Sequence, residues 1–101
     1  MKKYRVEFLP EAKQDIEEIR DYIAVNLENK PAAIRIVQAI IGKCESLATF
    51  PNGYAIKFRC DGRAVRFAHY GRYTIAFLVD DETVTVYAVK YSRLDLNNIL
   101  L

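Results

Sequence analysis

Residues 73–91 read YTIAFLVDDETVTVYAVKY. Two runs rich in β-branched and aromatic residues, Tyr73 to Val79 and Thr83 to Tyr91, flank the acidic turn Asp80-Asp81-Glu82. Such runs suit strands, and a short polar turn between them makes a hairpin. Both runs are apolar on both faces in places, which predicts central rather than edge strands.

Upstream, Gly71 marks a second turn and Asp61-Gly62 suits a tight hairpin, so Ala64 to Tyr70 forms another strand. From Ala55 onward the whole pattern has period two. Before it, Phe50-Pro51-Asn52-Gly53 stops a helix. In that helix Ala33, Ile36, Val37, Ile40, Ile41, Cys44, Leu47 and Ala48 recur at helical spacing, and Pro31 opens it. An earlier helix starts at Pro10 and carries Ala12, Ile16, Ile19, Tyr22, Ile23 and Leu27 on one stripe until Asn26 to Lys30 breaks it. At the front, Tyr4, Val6 and Phe8 alternate with Lys3, Arg5 and Glu7 as in a half-buried strand. The predicted fold is α+β, of order β-α-α-β-β-β with a tail. Its helical hairpin packs on a small, mainly antiparallel sheet, and residues 1–101 form one domain.

Two cysteines, Cys44 and Cys60, make neither a disulfide framework nor a zinc cluster. Cys44 falls on an apolar stripe and reads as a small buried hydrophobe. The basic start lacks the apolar core of a signal peptide, and no stretch approaches the roughly 20 apolar residues of a membrane span. A soluble cytoplasmic protein with no membrane partner is expected. Nucleotide loops, HExxH and EF-hand patterns are missing, so the sequence calls for no cofactor and no metal.

Net charge is +2, yet its placement is uneven. Glu11, Asp15, Glu17, Glu18, Asp21 and Glu28 outweigh Lys13 and Arg20 in the first helix region, whereas Lys57, Arg59, Arg63, Arg66 and Arg72 face only Asp61 between Tyr54 and Tyr73. With Lys90 and Arg93, and interleaved with Phe67, Tyr70, Tyr73, Tyr87 and Tyr91, these cations suit RNA phosphates and bases. They suit equally the wet face of a sheet, or an acidic peptide that folds on docking. His69 is the single histidine; a strand histidine facing solvent or a neighbouring hydroxyl is its simplest reading. The tail ends in Ile99-Leu100-Leu101, apolar enough to need a cover.

In order along the chain, Tyr4 to Ala12 with Asp15-Ile16, Leu47-Ala48-Thr49-Phe50-Pro51, Tyr73 to Phe77 and Val84 to Val89 resemble the RelE/ParE toxins of bacterial toxin-antitoxin modules. Two features set the chain nearer the ParE branch. RelE-type enzymes carry a Tyr-Arg pair at the start of the third sheet strand, and this chain has Tyr73-Thr74, without the cation. Tyr91-Ser92-Arg93-Leu94-Asp95-Leu96 is similar to the ParE ending, with Tyr91 in place of a histidine.

A ParE-like protein binds and poisons DNA gyrase and has no catalytic residues. Target contacts are then expected on Arg59, Arg63 and Arg66 and on Arg93 with Asp95. The RelE-like alternative is a metal-independent mRNA endonuclease on the ribosome, with Arg66, Arg72 and Arg93 on the phosphate and His69 or Tyr91 moving protons. A third possibility is a member that only binds its antitoxin. Under all three, the resemblance implies a cognate antitoxin in a hetero-oligomer, covering Tyr91, Ile99, Leu100 and Leu101.

Overall fold

The computed structural model describes residues 3–91 of the chain. Pro10 begins α1, Pro10–Asp21, straight after the short strand β1, Arg5–Phe8. Proline suits this place because its missing N–H has no acceptor in a first helical turn anyway. α1 then widens into one π-helical turn, Tyr22–Asn26, in which Leu27 N–H bonds to Tyr22 O. The sequence pattern carries a single helical stripe through to Leu27, so this change of pitch is a departure from it. α2, Lys30–Ser46, follows, and the Asn29 side chain caps it by accepting the Ala32 N–H at 3.1 Å.

Four strands follow among the described residues: β2 (Ile56–Cys60), β3 (Arg63–Tyr70), β4 (Tyr73–Val79) and β5 (Thr83–Tyr91). β2 is additional to the β-α-α-β-β-β order expected from sequence, though the period-two pattern from Ala55 and the Asp61-Gly62 turn both pointed to it. That turn has positive φ at both residues, the geometry that lets two strands fold back with matching twist. The sheet order is β1-β5-β4-β3-β2, with β1 parallel to β5 and every other pair antiparallel. β4 and β5 lie inside the sheet, as their two-sided apolar composition predicts.

The helices cover one face. Ala12, Ile16, Ile40, Cys44 and Leu47 from the helical side meet Ala68, Ile75, Phe77, Val84, Val86 and Val89 from the sheet. Fully burying Ile40, Leu47 or Phe77 contributes roughly 1.5–3 kcal/mol each. A smaller cluster of Val65, Phe67, Ala76 and Ala88, with Phe58 and Tyr87 packed on it, occupies the opposite face.

β5 serves both clusters because it carries a bulge. Ala76 pairs with Ala88 and Phe77 with Val86, so Tyr87 is the extra residue. Strict alternation would put Val84, Val86, Ala88 and Lys90 together. The bulge resets the phase, and Val89 joins Val84 and Val86 under the helices. No helix among the described residues is long and apolar enough to cross a membrane.

Candidate functional site

The sheet separates the cations and polar groups that the sequence groups together. Along β3, Ala68 packs under the helices while Val65 and Phe67 pack on the other side. Side chains alternate in a strand, so Arg66 shares the helical side with Ala68, and His69 projects from the opposite face. Arg66 Nη1 donates to the carbonyls of Asn52, at 3.3 Å, and of Tyr54. It therefore pins the loop after α2, in which Phe50 has a left-handed backbone (φ 62°) and Pro51 is buried. Lys43 Nζ, donating to the Tyr54 hydroxyl at 3.1 Å, and the edge contact of Tyr54 with Phe77 hold the same loop.

His69 Nδ1 lies 3.2 Å from the hydroxyl of Thr74, which is fully buried. The neighbouring hydroxyl foreseen for this histidine is thus Thr74. Arg63 pairs with Asp80 at 3.3 Å, and Arg59 reaches the Gly62 carbonyl at 3.5 Å, both on exposed surface. Arg72 lies in the turn between β3 and β4, and Tyr91 ends β5 opposite Tyr73. Four residue steps along the strand carry the backbone from Arg66 to Tyr70 at that turn, about 13 Å. Arg66 and His69 lie on opposite faces of β3 and do not converge on one point. Arg93, Asp95, Ile99, Leu100 and Leu101 lie outside the described residues.

Cys44 is fully buried, and burial pushes its thiol up to about 12, with Glu45 adding to the effect, so it is not a nucleophile near neutral pH. No group of three or more His, Cys, Asp or Glu side chains fit to hold a metal occurs among the described residues.

What the fold does assemble is a groove of about 760 Å³ between α1, the π-helical turn, the start of α2 and the ends of β4 and β5. Ile19, Ile23, Leu27, Ile36 and Val89 give it an apolar lining. Tyr22, Tyr73 and Tyr91 add three phenol rings, with Tyr73 and Tyr91 in edge contact at 5.5 Å between centroids. Burial, then proximity to Tyr91 and Tyr22, raises the Tyr73 hydroxyl above the ordinary phenol range.

Tyr22 and Leu27 are each 56% exposed, beyond what their place on a helical stripe implies, because the π-helical turn carries them past the end of the core. Ile23 instead packs with Ala32 and Ala33. Of these residues the sequence assigns only Tyr91 to an antitoxin contact, while Tyr73 and Lys90 stand in the group of cations and aromatics that suits RNA. The rest read as helix stripe or strand, and no single-residue signal marks them.

Asp15 fixes the groove's sheet-side wall. β1 stays paired as far as Phe8 opposite Val86, after which the chain turns into α1 and leaves the β5 edge open. The Asp15 carboxylate takes over there, accepting the Val89 N–H at 3.0 Å and Lys90 Nζ at 2.9 Å. Its side chain is only 11% exposed. A legible sign existed: Asp15 stands three residues after Ala12 and four before Ile19, at the margin of an apolar stripe.

The sequence model of ParE toxins of type II toxin-antitoxin systems (parDE) matches residues 6–96. Among curated proteins, none is similar in sequence. Several solved structures share the fold. The chromosomal ParDE toxin-antitoxin system from P. aeruginosa matches at 17% identity and a TM-score of 0.72, over 87% of this chain and 95% of that one. A RelBE toxin-antitoxin complex from Mycobacterium tuberculosis matches at 23% identity and 0.65, over 90% and 93%. The archaeal RelE-RelB complex from Pyrococcus horikoshii matches at 13% identity and 0.57, over 91% and 98%. With 91 of its 101 residues inside the family match, this chain belongs to the ParE toxins of type II toxin-antitoxin systems.

Proposed function

We propose that the chain stops growth by binding DNA gyrase in the bacterial cytoplasm, its own side chains making and breaking no bond. The observation that carries this reading is the position of Arg66 and His69 on opposite faces of β3, with Arg66 committed to the Asn52 and Tyr54 carbonyls. A phosphate-cleaving group needs cation and proton carrier on one phosphate at hydrogen-bonding distance. The buried Thr74, bonded to His69, supports the same reading from the next strand. Exposed Arg59 and Arg63, with Arg93 and Asp95 of the tail, are the proposed target contacts.

Silencing falls to a cognate antitoxin. Its docking segment occupies the groove beside Tyr91, which has the size and apolar lining of a ligand site, and Ile99, Leu100 and Leu101 are its further proposed contacts. The two proteins then form a hetero-oligomer.

Purified gyrase assayed for supercoiling with increasing toxin tests the target. Loss of supercoiling with accumulation of cleaved DNA is expected, and antitoxin should reverse it. Unchanged supercoiling at saturating toxin, together with discrete cuts in translated message on the ribosome, would establish the endonuclease reading instead.

A further inference from the structure

The groove's polar lining consists of Tyr22, Tyr73 and Tyr91, of Asp15 and Glu18 from α1, and of Asn29 and Lys90. Both Asp15 oxygens are already engaged, one by Val89 N–H and one by Lys90. Glu18 makes no ion pair with any described residue. Its helix carries Glu11, Glu17 and Asp21 against Lys13 and Arg20, so the field there is net negative.

An apolar slot walled by phenol rings and edged by a carboxylate that pairs with no described residue matches one kind of side chain: a cation on an apolar stem. Methylenes of lysine or arginine can bury along Ile19 and Leu27 while the charged head meets the ring quadrupoles and the carboxylate. Aspartate or glutamate in the same place would be repelled. Ring faces and a carboxylate together favour the cation over a neutral anchor.

We infer that the segment docking in this groove is a basic amphipathic one, anchored by a lysine or arginine whose head sits between Tyr22, Tyr73 and Tyr91 and the Glu18 carboxylate. This rests on the reading that the antitoxin docks there, and it assigns the chemistry of the docking segment. An acidic peptide, one of the partners considered from the basic C-terminal half of the sequence, fits the opposite sign of surface and is not the occupant of this groove.

The test uses the full chain with its antitoxin and measures dissociation constants at low and moderate salt. Glu18, Tyr22 and Leu27 are exposed, so their variants are expected to fold, which circular dichroism verifies. Glu18→Gln should weaken binding about fivefold at low salt and less at moderate salt, since exposed charges are screened. Tyr22→Leu combined with Tyr91→Leu keeps the groove apolar and should weaken it about tenfold. Replacing one particular lysine or arginine of the antitoxin by methionine should abolish the effect of Glu18→Gln, the mark of a direct pair.

Leu27→Glu separates the two levels of the argument. If it weakens binding strongly while Glu18→Gln and the tyrosine variants stay within about twofold, the docking site stands and the basic anchor is wrong. If Leu27→Glu has no effect, the groove is not the docking site and the anchor falls with it. Dimers of the isolated chain that dissociate on Glu18→Gln would assign the groove to a second copy and overturn the proposal.

Discussion

The carboxylate of Asp15 accepts the backbone N–H of Val89 at 3.0 Å across 74 positions of sequence. It stands in for a strand at the point where β1 departs and β5 continues. Asp15→Ala leaves a buried donor unsatisfied and Lys90 unpaired, so a loss of about 1–3 kcal/mol is expected. Asp15→Asn keeps one acceptor and should lose about half as much. Urea unfolding of both variants checks this, and equal losses would show that the hydrogen bond to Val89 is not what matters.

Arg66 has a structural task, so its removal should be read in stability. Arg66→Ala frees the Asn52 and Tyr54 carbonyls and is expected to cost about 1–3 kcal/mol. Limited proteolysis should then cut near Phe50 faster, while inhibition of gyrase per folded molecule stays unchanged. Wild-type stability with lost inhibition would move Arg66 to the contact surface.

Arg59 and Arg63 behave in the opposite way. Arg63 and its partner Asp80 are half exposed, and such pairs contribute about 0–1 kcal/mol. Arg63→Ala and Arg59→Ala should therefore fold normally and inhibit supercoiling several-fold less. Full inhibition by both variants would exclude this edge from the target interface.

Cys44 links stability to alkaline pH. Its thiol is pushed from 9.0 to about 12 in the folded chain, so folding favours the protonated form. That contribution is complete below pH 9 and is lost as pH rises toward 12, a fall of about 4 kcal/mol at most. Cys44→Ala should be less stable at pH 7 but flatter in its pH dependence. Near pH 8 a thiol reagent should modify the exposed Cys60 in the native protein and reach Cys44 only on unfolding. Rapid native labelling of Cys44 would contradict the burial.

Much of the fold was legible because periodicity carries it. Helical spacing located both helices, and the turns at Asp61-Gly62, Gly71 and Asp80 to Glu82 separated the C-terminal strands. Local pattern could not show the bulge at Tyr87, since Tyr and Ala fit either face; only cross-strand register reveals it. The π-helical turn hid for a similar reason, because Tyr22, Ile23 and Leu27 satisfy an ordinary stripe. Candidate site residues were harder still. Arg59, Arg63 and Arg66 look alike in sequence, but strand parity and the loop carbonyls give Arg66 a separate role. The groove is made by five segments meeting, and no short stretch of sequence encodes such a meeting.

The parallel pairing of β1 with β5 also governs timing. Arg5 lies beside Thr83, 78 positions later. On a ribosome making about 5–20 residues per second, the first strand waits roughly 4–16 seconds for its neighbour to be synthesised. Until then Asp15 has no Val89 to meet, and the groove has no floor. A nascent or prematurely terminated chain lacking β5 therefore has neither the Asp15–Val89 bond nor a complete groove, and both wait on that strand.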